Sequence, residues 1–156
     1  ADLFEPGSTM KPFTVSTAIE TGAVRPDTLI PMQGSTYTLN GATIRDTHAI
    51  GSNGVVSLTA IVQKSSNVGT AKIAAMLSPQ QMWGMFDAVG FGQVSHLGFP
   101  GEVAGRLRPW KSWRPIEQAT MSYGHGLSVS LMQLARAYTI FAREGDMVPL
   151  SLTRTD

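Results

Sequence analysis

A serine and a lysine stand three residues apart in Gly7-Ser8-Thr9-Met10-Lys11-Pro12-Phe13, and such a pair can do nucleophilic chemistry. A serine hydroxyl attacks a carbonyl at neutral pH only with a base beside it, and a lysine serves as that base only in its neutral form. Lysine titrates near pKa ~10.4 in water, and lowering this by three units costs about 4 kcal/mol, so the amine must be withdrawn from solvent. Glu5-Pro6-Gly7 cannot lie inside a helix, whereas Phe13 to Thr21 is helix-compatible and stops at Gly22. Ser8 is therefore expected at or near a first helical turn, where Pro12 is tolerated because the earliest amides have no intrahelical partner. Residues three apart share a face, which brings the Lys11 amine to the Ser8 hydroxyl. The positive end of the helix favours the neutral amine and would stabilise negative charge on the serine oxygen or on a tetrahedral adduct.

Ser65-Ser66-Asn67 is the one Ser-x-Asn of the sequence, and with Lys64 it interrupts two helix-compatible runs. In such a break a hydroxyl and a carboxamide can face a cleft without competing with a backbone ladder. A second hydroxyl beside Ser8 and Lys11 could relay a proton to a leaving amine, and the amide could orient Lys11 and bind a substrate carbonyl. The expectation is that Ser8 and Ser65 come within hydrogen-bond or single-water reach. His48, His96 and His125 lack the spacing of a metal pair, so no metal site is predicted. Gly90-Phe91-Gly92 neither follows a strand nor opens a helix, which argues against a dinucleotide loop, and no cofactor is implied.

The elements that must position these groups follow from pattern. Val24 to Pro31, with two prolines, reads as a loop. Thr36–Leu39 and Ala42–Arg45 flank Asn40-Gly41, a strong hairpin signal. Val55 to Val62 reads as helix, and the helical pattern resumes from Val68. Ser78-Pro79-Gln80-Gln81 is a capping box with proline at the first position, and Met82, Met85, Phe86 and Val89 form the stripe behind it. Gly90 to Trp113 is a long glycine-rich loop, and Arg114 to Ser122 a short helix. Ser130 repeats the capping box with Gln133 and opens an amphipathic helix ending near Gly145; Val148 to Thr153 resembles the start of a strand.

Composition narrows the class. At 156 residues the chain is the size of one domain with a real core, and 42% hydrophobic against 15% charged residues describes a folded protein. A net charge of +1 gives no polyelectrolyte signal, which argues against nucleic acid and anionic membrane as partners. The absence of cysteine excludes disulfides and thiolate catalysis. No apolar run reaches membrane-spanning length, and the N-terminus lacks signal-peptide form. The chain opens without an initiator Met and reaches Ser8 almost at once, which reads as a fragment of a longer domain.

The wording around the two motifs carries a resemblance. Glu5 to Phe13, Gln63-Lys64-Ser65-Ser66-Asn67-Val68-Gly69, Phe99-Pro100-Gly101-Glu102, Tyr123-Gly124-His125-Gly126-Leu127 and Gln133 to Tyr138 closely resemble the division-specific class B penicillin-binding proteins of Gram-negative bacteria. The resemblance implies a partial transpeptidase domain over residues 1–156. Its fold would be α/β, the mainly helical portion of the β-lactamase/transpeptidase-like fold, with most of the antiparallel sheet outside this chain. It implies a peptidoglycan D,D-transpeptidase that cross-links stem peptides through an acyl-enzyme on Ser8 and is acylated by β-lactams. Lys11 would be the base, Ser65 a proton relay and Asn67 the residue positioning peptide and Lys11, while the Ser8 backbone N–H would supply an oxyanion donor. Tyr123, Gly124, His125 and Gly126 would border the substrate cleft, although position 125 is often Tyr in that family. The implied setting is septal wall synthesis at the periplasmic face of the inner membrane, anchored and joined to division proteins by regions outside this sequence. The family's third motif, Lys-Thr/Ser-Gly, does not occur here, so the chain alone is expected to acylate weakly or not at all. A serine β-lactamase, a β-lactam sensor and a non-catalytic scaffold are the alternative readings.

Overall fold

The computed structural model describes residues 2–51, 53–93 and 104–143. Three two-stranded antiparallel sheets border a set of helices. Strand β1 (Leu3–Phe4) pairs with β6 (Val129–Ser130), β2 (Leu29–Pro31) with β5 (Val55–Ser57), and β3 (Thr36–Leu39) with β4 (Ala42–Arg45). The helices are α1 (Lys11–Glu20), α2 (Leu58–Gln63), α3 (Asn67–Ala74), α4 (Pro79–Ala88), α5 (Pro115–Ser122) and α6 (Leu131–Arg143).

Helix α1 is the axis of the fold because almost all of it is buried, polar residues included. Val15 and Ala18 enter one core with Ile30, Ile44, Leu58, Ile61, Val68 and Ile73. Met10 and Phe13 enter a second core with Met82, Phe86, Phe91, Met121 and Leu127. Buried polar groups on α1 are satisfied locally or across the core: Thr17 Oγ1 donates to the Phe13 carbonyl and Thr14 Oγ1 to the Ser122 carbonyl, both at 2.8 Å. Gly69 lets α3 cross α2 closely, since a Cβ there would lie 2.6 Å from the Ile61 side chain. The Gln118 amide donates to the Ala74 and Leu77 carbonyls at 3.1 and 3.0 Å, satisfying carbonyls at the buried C-terminal end of α3.

Turn chemistry accounts for most boundaries. Asn40 and Gly41 take φ of 50° and 77°, as a two-residue hairpin turn of matching twist requires, and the Asn40 carboxamide oxygen accepts the Ile116 N–H at 3.0 Å. Both expected capping boxes form, at Ser78 with Gln81 and at Ser130 with Gln133. Three expectations need correction. The segment read as a loop contains β2, and the segment read wholly as helix begins with β5; each is a three-residue strand that exists only because the other pairs with it. Helix α1 starts at Lys11, and Ser8 lies ahead of it in a separate 3-10 turn, Gly7–Met10. Residues 94–103 of the predicted loop from Gly90, including His96 and Phe99 to Glu102, lie outside the described residues, as does the predicted strand from Val148.

Glu117 secures the start of α5. Its carboxylate accepts the Arg114 N–H at 2.8 Å and pairs with Arg108 and Arg114, which together hold it at a pKa of about 2. A carboxyl depressed on folding adds stability above its unfolded value, lost as pH falls toward the folded one. Urea midpoints should therefore fall between pH ~4.5 and ~2, and Glu117→Gln should flatten that limb.

Candidate active site

The 3-10 turn Gly7–Met10 is tight enough for residues three apart to eclipse, so the offset of Ser8 and Lys11 works as it would on an α-helix. Gly7 starts the turn at φ 61°, and Tyr138 on α6 donates its hydroxyl to the Thr9 carbonyl at 2.6 Å, fixing the turn from behind. Ser8 is exposed at the rim, while Lys11 beneath it is 2% exposed. Burial pushes the Lys11 amine below the ordinary lysine range, partly opposed by the Asp46 carboxylate.

Ser65 arrives from the break between α2 and α3. Lys64 caps α2, Ser65 N–H donates to the Val62 carbonyl at 3.1 Å, and Ser66 N–H to the Ile61 carbonyl at 2.9 Å. This paired bonding is a Schellman motif, whose next residue after the cap takes a left-handed backbone and is ordinarily glycine. Ser65 occupies it at φ 56°, a conformation that costs an L-residue about 1–2 kcal/mol. The cost coincides with a side chain aimed at chemistry. Ser65 Oγ lies 2.7 Å from Lys11 Nζ and 3.1 Å from Ser8 Oγ, and Lys11 Nζ lies 3.2 Å from Ser8 Oγ. The same backbone twist turns the Ser65 carbonyl onto Lys11 Nζ at 2.7 Å. Ser65→Gly and Ser65→Ala both delete the hydroxyl, and only the first relieves the backbone. The glycine variant should be the more stable of the two by about 1 kcal/mol in urea unfolding.

The structure thus brings Ser8, Lys11 and Ser65 into one mutually bonded triangle. An ammonium at Lys11 would donate to all three acceptors. A neutral amine would donate to the Ser65 oxygens and present its lone pair to the Ser8 hydroxyl, the arrangement a general base needs. Asn67 sits beside this triangle, not in it: its carboxamide donates to the Arg45 carbonyl at 3.4 Å, and Lys11 Nζ donates to oxygens of the two serines. Tyr123 is 8% exposed and packs in the core, with its ring edge on His125 at 5.5 Å between centroids. Gly124 and Gly126 take φ of 89° and 86°, and Gly124 lies directly against Gly7.

Asp46, just past β4, was not legible as a site residue. Its Oδ1 accepts the Asn67 and Val68 N–H groups at 2.6 and 3.1 Å, and its Oδ2 accepts the Ser66 hydroxyl at 2.5 Å. A carboxylate across the start of α3 satisfies two orphan amides and complements the helix dipole, so it fixes the Ser65–Asn67 turn. Among the described residues no three His, Cys, Asp or Glu side chains converge on a metal position. Among them, too, no helix is long and apolar enough to cross a membrane.

Comparison with known proteins gives the family. Residues 1–156 match the family described as Penicillin binding protein transpeptidase domain. The chain is 47% identical over 154 residues to a Neisseria flavescens protein named Probable peptidoglycan D,D-transpeptidase PenA, covering 98% of this chain and 37% of that protein. It is 38% identical over 155 residues to the Escherichia coli Peptidoglycan D,D-transpeptidase FtsI, covering 99% of this chain and 26% of that protein. Among solved structures it superposes with a TM-score of 0.87 and 54% identity on the apo transpeptidase domain of Burkholderia pseudomallei penicillin-binding protein 3, covering 93% of this chain and 43% of that one. The chain thus spans between 26% and 37% of the length of these curated relatives. With a family match over its whole length and the fold of a solved transpeptidase domain, this chain belongs to the transpeptidase domain family of penicillin-binding proteins.

Proposed function

We propose that this chain carries the nucleophile, base and proton relay of a serine D,D-transpeptidase that cross-links peptidoglycan stem peptides. The observation that carries the reading is the triangle of Ser8 Oγ, Lys11 Nζ and Ser65 Oγ, closed by contacts of 2.7 to 3.2 Å around an amine removed from water. Neutral Lys11 takes the Ser8 proton as Oγ attacks the carbonyl of the penultimate D-alanine, and the Ser8 backbone N–H faces the developing oxyanion. The tetrahedral adduct collapses by breaking the C–N bond. The proton held on Lys11 reaches the departing D-alanine amine through the Ser65 hydroxyl, leaving an ester on Ser8 and a neutral lysine. An acceptor amine from a second stem reverses the sequence: it attacks the ester, loses its proton along the same path, and the proton returns to Ser8 Oγ. The net result is one amide broken and one formed.

In this reading β-lactams acylate Ser8, Asn67 binds the peptide from the edge of the cleft, and Tyr123, Gly124, His125 and Gly126 border it. The setting is septal wall synthesis on the periplasmic face of the bacterial inner membrane, with division partners engaged by other regions of the protein. Because no Lys-Thr/Ser-Gly tripeptide is present to hold a substrate carboxylate, the 156 residues alone should acylate slowly.

Incubation with a fluorescent penicillin, followed by intact mass and peptide mapping, tests this. A slowly hydrolysed adduct on the peptide containing Ser8 is expected. An adduct elsewhere sinks the assignment, rapid hydrolysis points to a β-lactamase, and no adduct after prolonged exposure points to a non-catalytic scaffold.

A further inference from the structure

Glu5 takes no part in the proton-transfer triangle, yet it joins the two segments flanking the nucleophile. It stands between β1 and the turn that carries Ser8. Its Oε2 accepts the Gly126 N–H at 2.7 Å, and its Oε1 lies 3.5 Å from His125 Nδ1. Two residues on, Gly7 N–H donates to the Gly124 carbonyl at 3.0 Å. The backbones there are so close that a Cβ on Gly124 would lie 2.1 Å from the Gly7 carbonyl oxygen and 2.2 Å from its nitrogen. The nucleophile turn therefore rests directly on residues 124–126, with Glu5 as the side chain that straps them together. The Gly126 amide, then His125, hold the Glu5 carboxyl below the usual carboxylate range. Glu5 stays charged near neutral pH, and an imidazole is the partner whose charge varies between pH 5 and 8.

We propose that Glu5 is a positioning residue for Ser8, holding the Tyr123–Gly126 segment against the nucleophile turn, and that protonation of His125 tightens this strap. The inference rests on Ser8 being the acylated residue. Among the described residues the groups around His125 are few. Tyr123 meets its ring edge-on. Arg106 and Arg108 line, with Glu5 and Gly126, an open cavity of about 570 Å³, and Arg108 is paired with Glu117. The Asp46 carboxylate acts on Tyr123. Glu5 is the anion in contact with the ring, so protonation strengthens the strap. Both side chains are 54% exposed, so screening keeps the effect to a few fold.

The test compares the chain with Glu5→Gln, His125→Phe and the double variant, reading Ser8 acylation by fluorescent penicillin from pH 5.5 to 8. The Lys11 limb cancels in the ratio of wild-type to His125→Phe rates. That ratio should fall about threefold across the range, and should be flat when the same comparison is made in the Glu5→Gln background. In parallel, NMR hydrogen exchange should give higher protection factors for the Gly7 and Gly126 amides at pH 5.5 than at pH 8 only when both Glu5 and His125 are present. A flat wild-type ratio, or the same slope without Glu5, overturns the proposal. If no variant acylates, as the missing Lys-Thr/Ser-Gly motif allows, amide exchange alone decides the strap: protection independent of both pH and Glu5 refutes it.

Discussion

Replacing Lys11 with methionine should reduce acylation of Ser8 by roughly 10³-fold or more, within the range expected for loss of a general base, while the chain still folds. The methylene stem is packed in the interior and methionine reproduces its length, so the substitution removes the amine and little else. Ser8→Ala should remove the adduct altogether, and the double variant should be no worse, because groups acting as one unit do not contribute additively. A pH signature separates the base from a structural ammonium. Acylation needs the neutral amine, so the wild-type rate should rise with pH and level off at a value below the ordinary lysine range, whereas Lys11→Met loses that limb. Stability follows the same proton. Between the lowered folded value and the unfolded one the unfolded chain binds more protons, so stability should increase with pH through that window. The cost of holding the ammonium is present in full below the folded value and gone above the unfolded one. Urea unfolding at neutral and alkaline pH should show this slope in the wild type and not in Lys11→Met. The 13Cε shift of Lys11 reads the titration directly, whatever the chain's activity toward penicillin.

How much of this was legible in the sequence depended on how local each cause is. Asn40-Gly41, Ser78 with Gln81, and Ser130 with Gln133 act within four residues, and each formed where expected. The pairing of Leu29–Pro31 with Val55–Ser57 did not announce itself, because neither three-residue segment has a period long enough to count and the prolines around the first argued for a loop. Ser8 and Lys11 were legible because their offset is a local fact that survives the change from α-helix to 3-10 turn. The approach of Ser65 was expected from the Ser-x-Asn motif in a helix break together with the family resemblance, but its left-handed backbone was not, since Ser is a poor residue for that place and nothing nearby marks it. Asn67 shows the limit of motif reasoning: its type suggested an orienter for Lys11, while the backbone of the turn directs its amide to the Arg45 carbonyl.

Asp46 is the residue whose removal should teach most, because it acts on the site in two opposing ways. It accepts the Asn67 and Val68 amides and the Ser66 hydroxyl, so Asp46→Ala strands three donors at the start of α3. At about 1 kcal/mol for each neutral bond and somewhat more for a charged acceptor, the loss should be about 3 kcal/mol in urea unfolding. The Ser65 turn would loosen with it and acylation would fall at every pH. Asp46→Asn separates the two roles. A carboxamide oxygen can still accept both amides, and its NH₂ can donate to the Ser66 hydroxyl, which already accepts from Gly69 at 2.8 Å. The turn should then hold, while the negative charge that favours the Lys11 ammonium is gone. Lys11 should titrate lower still, and the rising limb of the acylation profile should move to lower pH as its plateau stays within a few fold of wild type. A limb displaced upward, or unmoved, would show that Asp46 does not reach Lys11 electrostatically and serves the α3 turn alone.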